Sequence, residues 1–165
     1  MKRIKLSNAN EYANVDDEDF TALSVYNWRL TKSRNQKYAV RSAYVSELID
    51  GKKKDIRMHN QIMNTPEGFE VDHIDRNGLN NCRYNLRICT HQQNSYNTRS
   101  AVNSKSKYKG VAWHKGNKMW QANITIGGKQ LSLGYSKDEK EAARKYDEAA
   151  KKYYRNFAVL NFPQK

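Results

Sequence analysis

The residues best suited to chemistry sit close together. Val71 leads a short apolar stretch that ends in Asp72 and His73, Asn85 follows thirteen residues after Asp72, and Asn94 nine residues after that. A carboxylate and an amide oxygen suit a hard divalent cation such as Mg²⁺ or Mn²⁺, which takes oxygen ligands and keeps open positions for phosphate and water. A neutral imidazole beside such an ion can take the proton from an attacking water. Its second ring nitrogen needs an orienting partner, commonly a backbone carbonyl or a side-chain amide. Metal-assisted phosphodiester hydrolysis needs little more.

The elements around these residues must bring them together. A strand ending at Asp72-His73, a turn-rich stretch through Asn77-Gly78-Leu79-Asn80-Asn81, and a return strand into a helix would do so. Upstream, Tyr38 to Val45 and Ile56 to His59 read as short strands around a Gly51-Lys-Lys-Lys54 turn. Lys52, Lys53 and Lys54 fit a solvated hairpin tip or phosphate contacts equally. Asp16 to Asp19 precede Phe20, Leu23 and Tyr26 at helical spacing, which places acids where the helix dipole favours them.

Downstream, Asn97 to Lys107 is rich in Ser and Asn and has no apolar periodicity, so it reads as a linker. Beyond it, Tyr108–Trp113, Trp120–Ile126 and Lys129–Gly134 read as three strands. Trp120, Ala122, Ile124 and Ile126 alternate with Gln121, Asn123 and Thr125, and Gly127-Gly128 marks a hairpin. Ser136 to Glu139 has the form of a capping box. The helix it opens carries an apolar stripe at Ala142, Ala143, Tyr146, Ala149, Ala150 and Tyr153. One helix packed on one face of a three-stranded sheet leaves the other face polar and open to a partner.

Composition narrows the classes. The 165 residues hold 30 Lys+Arg against 17 Asp+Glu, a net charge of +13. Such an excess points first to nucleic acid and second to an anionic membrane surface. Residues 1–65 carry 12 basic and 8 acidic side chains (+4), 66–107 carry 6 and 4 (+2), and 108–165 carry 12 and 5 (+7). The hydrophobic share of 38% is below that of an average domain and favours two small cores over one large one. Eleven tyrosines argue against a disordered basic tail. The N-terminal residues lack the apolar run of a secretory signal, and no stretch is long and apolar enough for a membrane span. Two cysteines, Cys82 and Cys89, form neither a disulfide framework nor a Cys-rich zinc site, so a reduced, intracellular (cytoplasmic) setting is expected.

The segment from Asp72-His73 through Asp75, Asn77-Gly78-Leu79-Asn80-Asn81 and Asn85-Leu86-Arg87 to Asn94 resembles the HNH endonuclease motif of the ββα-metal (His-Me finger) fold. It is most similar to the phage and intron-encoded homing enzymes. Val15 to Phe20, Tyr26-Asn-Trp28 and Met58-His59 look like that subgroup's N-terminal region, so the resemblance covers about residues 10–97. It implies that His73 is the general base, that Asp72 and Asn94 bind the metal, and that Asn85 braces the loop orienting His73. Mg²⁺ is the implied ion, with Mn²⁺ as a substitute. The Cys pairs that hold a structural zinc in other HNH enzymes are absent, and Asn60 stands after His59 where relatives often carry Arg. Among the other candidates, His91 reads as structural or a phosphate contact, His59 as a packing histidine, Asp75 as a turn cap and His114 as at most a DNA contact.

Residues 107–163 resemble the Apetala-two/ethylene-response-factor DNA-binding domain through Tyr108-Lys-Gly-Val, Trp120-x-Ala-x-Ile, Leu133-Gly-Tyr, Glu141 to Ala150 and Leu160-Asn-Phe-Pro163. That family lays its sheet in the DNA major groove. The resemblance implies DNA contacts at Trp113, Lys115, Lys118, Trp120, Asn123, Thr125 and Lys129, with Trp120 equally suited to core packing. Ala112, Asn123 and Thr125 replace Arg, Glu and Arg of the plant members. Base preference therefore does not transfer, and readout should lean on phosphates and shape.

The combined expectation is an α+β chain. Residues 1–97 form an HNH region with N-terminal short strands and a ββα-metal motif at about 69–97. Residues 98–107 form a linker, and 108–165 a three-stranded antiparallel sheet packed on one helix. The expected function is metal-dependent cleavage or nicking of double-stranded DNA by a monomer or weak dimer of phage or intron-encoded type, with no membrane partner. The alternative is a sequence-specific DNA-binding regulator with a vestigial nuclease site.

Overall fold

A computed structural model describes residues 1–33, 36–47, 54–98 and 105–163. Lys52 and Lys53, and most of the expected linker, lie outside the described residues. The chain divides into two compact units, Met1–His91 and Gln92–Lys165. The boundary falls inside a helix, six residues before the expected linker.

The first unit is built from short hairpins and small helices. Strands β1 (Lys2–Lys5) and β2 (Tyr12–Val15) pair antiparallel, with Ile4 opposite Ala13. Helix α1 (Asp17–Ser24) begins with Asp17, Glu18 and Asp19 in its first turn, where acids oppose the helix dipole favourably. Strands β3 (Arg29–Ser33), β4 (Gln36–Ser42) and β5 (Asp55–Arg57) form an antiparallel sheet with β4 at its centre. The chain then turns directly into α2 (Met58–Met63). The strand expected to run through His59 therefore ends at Arg57. Met58 and Ile62 recur at helical spacing and are both buried, and that favours the helix.

Strands β6 (Glu70–His73) and β7 (Leu86–Cys89) form a second antiparallel hairpin, with Asp72 opposite Arg87 and His73 opposite Leu86. Leu6, Val15, Trp28, Met58, Val71 and Leu86 join one core under these elements. Trp28 pays for its burial by donating its indole N–H to the Leu23 carbonyl at 2.8 Å. Helix α3 (His91–Tyr96) crosses the boundary between units.

The second unit is a three-stranded antiparallel sheet with one helix. Strands β8 (Val111–His114), β9 (Met119–Ile126) and β10 (Lys129–Ser136) lie with β9 in the middle. Gly127 and Gly128 form the two-residue turn between β9 and β10, both at positive φ as a right-twisted hairpin requires. Helix α4 (Glu139–Tyr154) packs its alanines on the sheet. Its N-cap is Asp138, which accepts from the Lys140 N–H at 2.9 Å, rather than Ser136. Ser136 instead accepts from the Asp138 N–H and donates to Glu141.

The buried stripe of α4 ends at Tyr154, while Tyr153 is exposed. The reason is a backbone need. Strand β8 pairs only as far as Ala122, so Thr125 has no strand partner on that side. The Tyr154 hydroxyl accepts from the Thr125 N–H at 3.2 Å and donates to its carbonyl at 2.7 Å. Tyr96, at the end of α3, stacks on the Tyr154 ring at 3.7 Å. Among the described residues, no helix is long and apolar enough to cross a membrane.

Candidate active site and nucleic-acid face

His73 ends β6 and is buried, as are Asp72, Asn81 and Asn85. The loop between β6 and β7 is held by side-chain amides rather than by apolar packing. Asn85 accepts from the Asp75 N–H at 2.9 Å and donates to Asp75 Oδ1 at 2.9 Å and to the Asn80 carbonyl at 2.8 Å. Both Asp75 oxygens serve the loop. Oδ1 also accepts from the Asn77 N–H, and Oδ2 from the Asn80 amide, each at 2.7 Å. Burial alone would raise the Asp75 pKa, but the bonds from Asn80, Asn77 and Asn85 outweigh it and hold the carboxyl below its usual range.

Two other elements fix the loop from outside. Asn14 of β2 accepts from the Asn81 N–H at 2.8 Å and donates to the Leu79 carbonyl at 2.8 Å, so the loop extends the N-terminal hairpin as a short extra strand. Gly78 lies against β4. A Cβ there would stand 2.3 Å from the Lys37 carbonyl oxygen and 2.6 Å from Tyr38, so a larger residue would displace the loop.

The His73 ring is enclosed by three neighbours. The His59 ring lies edge-on at 4.8 Å, Tyr38 at 6.1 Å, and Asn81 Oδ1 is 3.3 Å from Nε2. Burial lowers the His73 pKa, against the opposing pull of Asn81, Asp75 and Asp72, so the imidazole is neutral near pH 7. His59 is lowered further, to about 3, by burial and by the proximity of His73 and Arg57. Its Nδ1 is buried without a hydrogen-bond partner.

Asp72 is 4% exposed and Arg87, opposite it on β7, donates to its Oδ2 through Nε at 2.7 Å and Nη2 at 2.5 Å. That ion pair compensates the buried charge. It does not exhaust a carboxylate with four lone-pair positions, so Asp72 still fits a hard cation. The amide oxygen of Asn94 has the same hardness. The thiols do not suit zinc: burial pushes Cys82 and Cys89 up to about 11, whereas a zinc ligand is a thiolate. A separate carboxylate group, Asp16, Glu18 and Asp19, is engaged by Arg83 through its side chain and backbone.

Asp72, His73 and Asn85 thus share the first unit, while Asn94 lies on α3 beyond the unit boundary. His91 bonds Glu70 at 2.7 Å through Nδ1. Two partners escaped sequence reasoning. Asn81 could have been sought as the amide that a catalytic imidazole needs, within a run of two asparagines. Arg87 lacked such a signal, because its meeting with Asp72 depends on the hairpin register.

In the second unit, Ala112, Gln121, Asn123, Thr125, Gln130 and Ser132 line the sheet face away from α4, by strand alternation and register. Gln121 donates to Ser132 and Tyr135 across it. Trp120 falls on the other face and packs with Val111, Ala122, Ala142 and Ala143. Trp113 pairs with it edge-on at 5.1 Å and is 38% exposed. Lys115 and Lys118 lie exposed in the β8–β9 turn, and Lys129 is exposed at the start of β10.

Comparison with known proteins finds two kinds of relative. Residues 64–96 match the family described as HNH endonuclease. The chain is 40% identical over 65 residues to Protein 3.8 of Escherichia phage T7, covering 39% of this chain and 54% of that protein. It is 35% identical over 96 residues to an uncharacterized HNH endonuclease of Acanthamoeba polyphaga mimivirus, covering 58% and 49%. An ethylene-responsive transcription factor of Arabidopsis thaliana is 48% identical over 59 residues, 34% of this chain and 14% of the factor. The chain spans about half the length of the viral relatives and a small part of the plant one. Residues 64–96 thus match the HNH endonuclease family, and the C-terminal region is similar to AP2-type plant transcription factors.

Proposed function

We propose that this chain is a metal-dependent DNA endonuclease of the homing type that holds duplex DNA with its C-terminal domain. The observation that carries the reading is His73: a buried imidazole, neutral near pH 7, at the end of a strand beside Asp72 and with an amide oxygen at Nε2. Asp72 and Asn94 supply oxygen ligands for the ion, most suitably Mg²⁺. When bound, such an ion supplies positive charge to the scissile phosphate and to the leaving oxygen. His73 takes the proton from the attacking water, and Asn85 keeps the loop closed around it. Residues 1–97 do the cutting, and 108–165 do the binding.

In the C-terminal domain, Asn123 and Thr125 offer polar side chains to the groove. Lys115, Lys118 and Lys129 neutralise phosphates. Trp113 and Trp120 are register partners and share the face toward α4, so both support the sheet from behind, and the DNA contact expected of Trp113 is left to its 38% exposed edge. Few bidentate arginines stand on this face, so binding rests more on the backbone and shape of DNA than on base edges.

One observation favours the regulator reading: Arg87 already satisfies Oδ2 of Asp72. Incubation of the protein with supercoiled plasmid in Mg²⁺, Mn²⁺ or EDTA decides. Open-circle or linear product only with metal supports the nuclease. Retarded but uncut plasmid under every metal supports the regulator.

A further inference from the structure

We propose that the first unit carries a second binding site, a pocket for a single nucleobase, walled by Tyr26 and Tyr44 and edged by Asn27 and Arg29. A cavity of about 260 Å³ opens there, between the loop that follows β1, the loop that leads into β3 and the end of β4. It shares no residue with the site at Asp72, His73 and Asn85. Its volume lies just below the roughly 300–1,000 Å³ of sites for drug-sized ligands, so it takes one planar ring system rather than a bulky cofactor. The walls are held in place within the fold. Arg41, 4% exposed, donates to Gln61, to the Ser42 carbonyl and to both oxygens of Glu47. Its guanidinium lies over the Tyr26 ring at 4.2 Å and the Tyr44 ring at 5.6 Å. The Tyr44 N–H donates to Glu47 Oε2 at 2.7 Å, and the Ser7 N–H to the Trp28 carbonyl at 2.8 Å.

The pocket offers aromatic faces and unengaged polar groups. Tyr44 is 57% exposed, and its ring stands 5.9 Å from that of Tyr26. Arg29 gives Nη2 to both oxygens of Asp55 at 2.6 Å, which leaves its Nε and Nη1. Among the described residues, the side chains of Ser7, Asn27 and Ser42 likewise have no hydrogen-bond partner. Glu47 and Asp55 balance the two guanidinium groups, so the pocket is no trap for a bare phosphate. A neutral ring that stacks on tyrosine and carries carbonyl and ring-nitrogen acceptors at its edge fits it. A nucleobase has that face and that edge, and a net charge of +13 draws nucleic acid to the chain. Within a duplex a base is covered by its neighbours, so the ring that enters is unpaired: a base turned out of a DNA strand, or that of a free nucleotide.

The test titrates the full ¹⁵N-labelled chain with deoxyguanosine monophosphate, with a guanine-containing single-stranded hexanucleotide and with deoxyribose 5-phosphate. The side-chain N–H signals of Asn27 and Arg29 report on the pocket. A base-bearing probe should shift them saturably, and deoxyribose 5-phosphate should not. Tyr44→Ala should weaken that binding by roughly 5–100-fold, and Tyr44→Phe, which keeps the ring, should bind like the wild type. Tyr44-dependent binding of the hexanucleotide assigns the pocket to a DNA strand, and binding of the monophosphate alone assigns it to a free nucleotide. Three results overturn the proposal: no saturable shift with either base-bearing probe, equal shifts with deoxyribose 5-phosphate, or a Tyr44→Ala protein that binds as the wild type does. The comparison of probes on the wild type needs no variant to fold. None of these signals requires cleavage, so an inactive nuclease counts against the nuclease reading alone.

Discussion

The two units bury polar groups for opposite purposes. In Met1–His91, the buried polar side chains other than Arg41, which pairs with Glu47, lie on or beside the β6–β7 hairpin: His59, Asp72, His73, Asn80, Asn81 and Asn85. They include two neutral imidazoles and an orphaned ring nitrogen, features that cost stability. In Gln92–Lys165, the buried polar groups close the fold. Asp147 accepts from the Asn161 N–H, its side-chain amide and the Phe162 N–H, tying the C-terminal segment to α4. Ser106 and Ser136 cap local turns. The polar groups that face outward lie instead on the sheet. The Tyr146 hydroxyl of the second unit is also buried without a hydrogen-bond partner, so the contrast is one of degree: the unpartnered ring and amide atoms of His59, Asn80 and Asn81 gather in the first unit.

The strongest way to break this contrast is to remove the base. His73→Ala should lower the single-turnover cleavage rate by roughly 10²–10⁴-fold, measured on plasmid with Mg²⁺ at saturating protein. A smaller change would make the first unit's buried polar cluster structural.

The histidine pair also gives a pH signature. The folded-state pKa of His59, about 3, lies below its usual 6.5, so the unfolded chain binds the proton first. The neutral burial of His59 is fully tolerated above pH 6.5, and stability falls as the pH drops from there toward 3. His59→Phe should flatten that acid limb by on the order of a few kcal/mol, read from denaturant unfolding at pH 7 and pH 4. An unchanged pH dependence would mean that His59 is not buried as described.

The scaffold side is tested by Asp147→Ala. Three hydrogen bonds to one carboxylate are lost, and unfolding of the second unit should become easier by about 2–3 kcal/mol. Hydrogen exchange in β6 and β7 should be unchanged. Loosening of both units together would contradict their separate cores.

Much of this was legible in the chain itself, for identifiable reasons. The C-terminal sheet and helix could be read because alternation at Trp120–Ile126 and the alanine stripe are periodic signals that burial enforces. The exit of that stripe at Tyr154 could not, because it depends on an unpaired Thr125 backbone that only the length of β8 reveals. At the site, Asp72, His73 and Asn85 stood out by type and spacing. The start of α2 at Met58 was hidden, since Ile56-Arg-Met-His serves a strand or a helix equally well. Asn81 and Arg87 were hidden for a different reason: one acts through a loop pinned by Asn14 and Gly78, the other through hairpin register, and both are three-dimensional facts.

The smallest single-residue effects belong to the exposed lysines, and they complete the contrast. Each of Lys115, Lys118 and Lys129, if it neutralises a phosphate, should change the salt slope of binding by about 0.9. Measuring DNA affinity and saturated cleavage rate on the same variants tests the central claim most directly. His73→Ala should lose rate and keep its affinity and salt slope. The triple Lys→Ala variant should bind more weakly, with a slope shallower by about 2.7, and cut at the wild-type rate once saturated. Loss of affinity in His73→Ala, or of the saturated rate in the lysine variant, would contradict a molecule in which residues 1–97 cut and residues 108–165 hold.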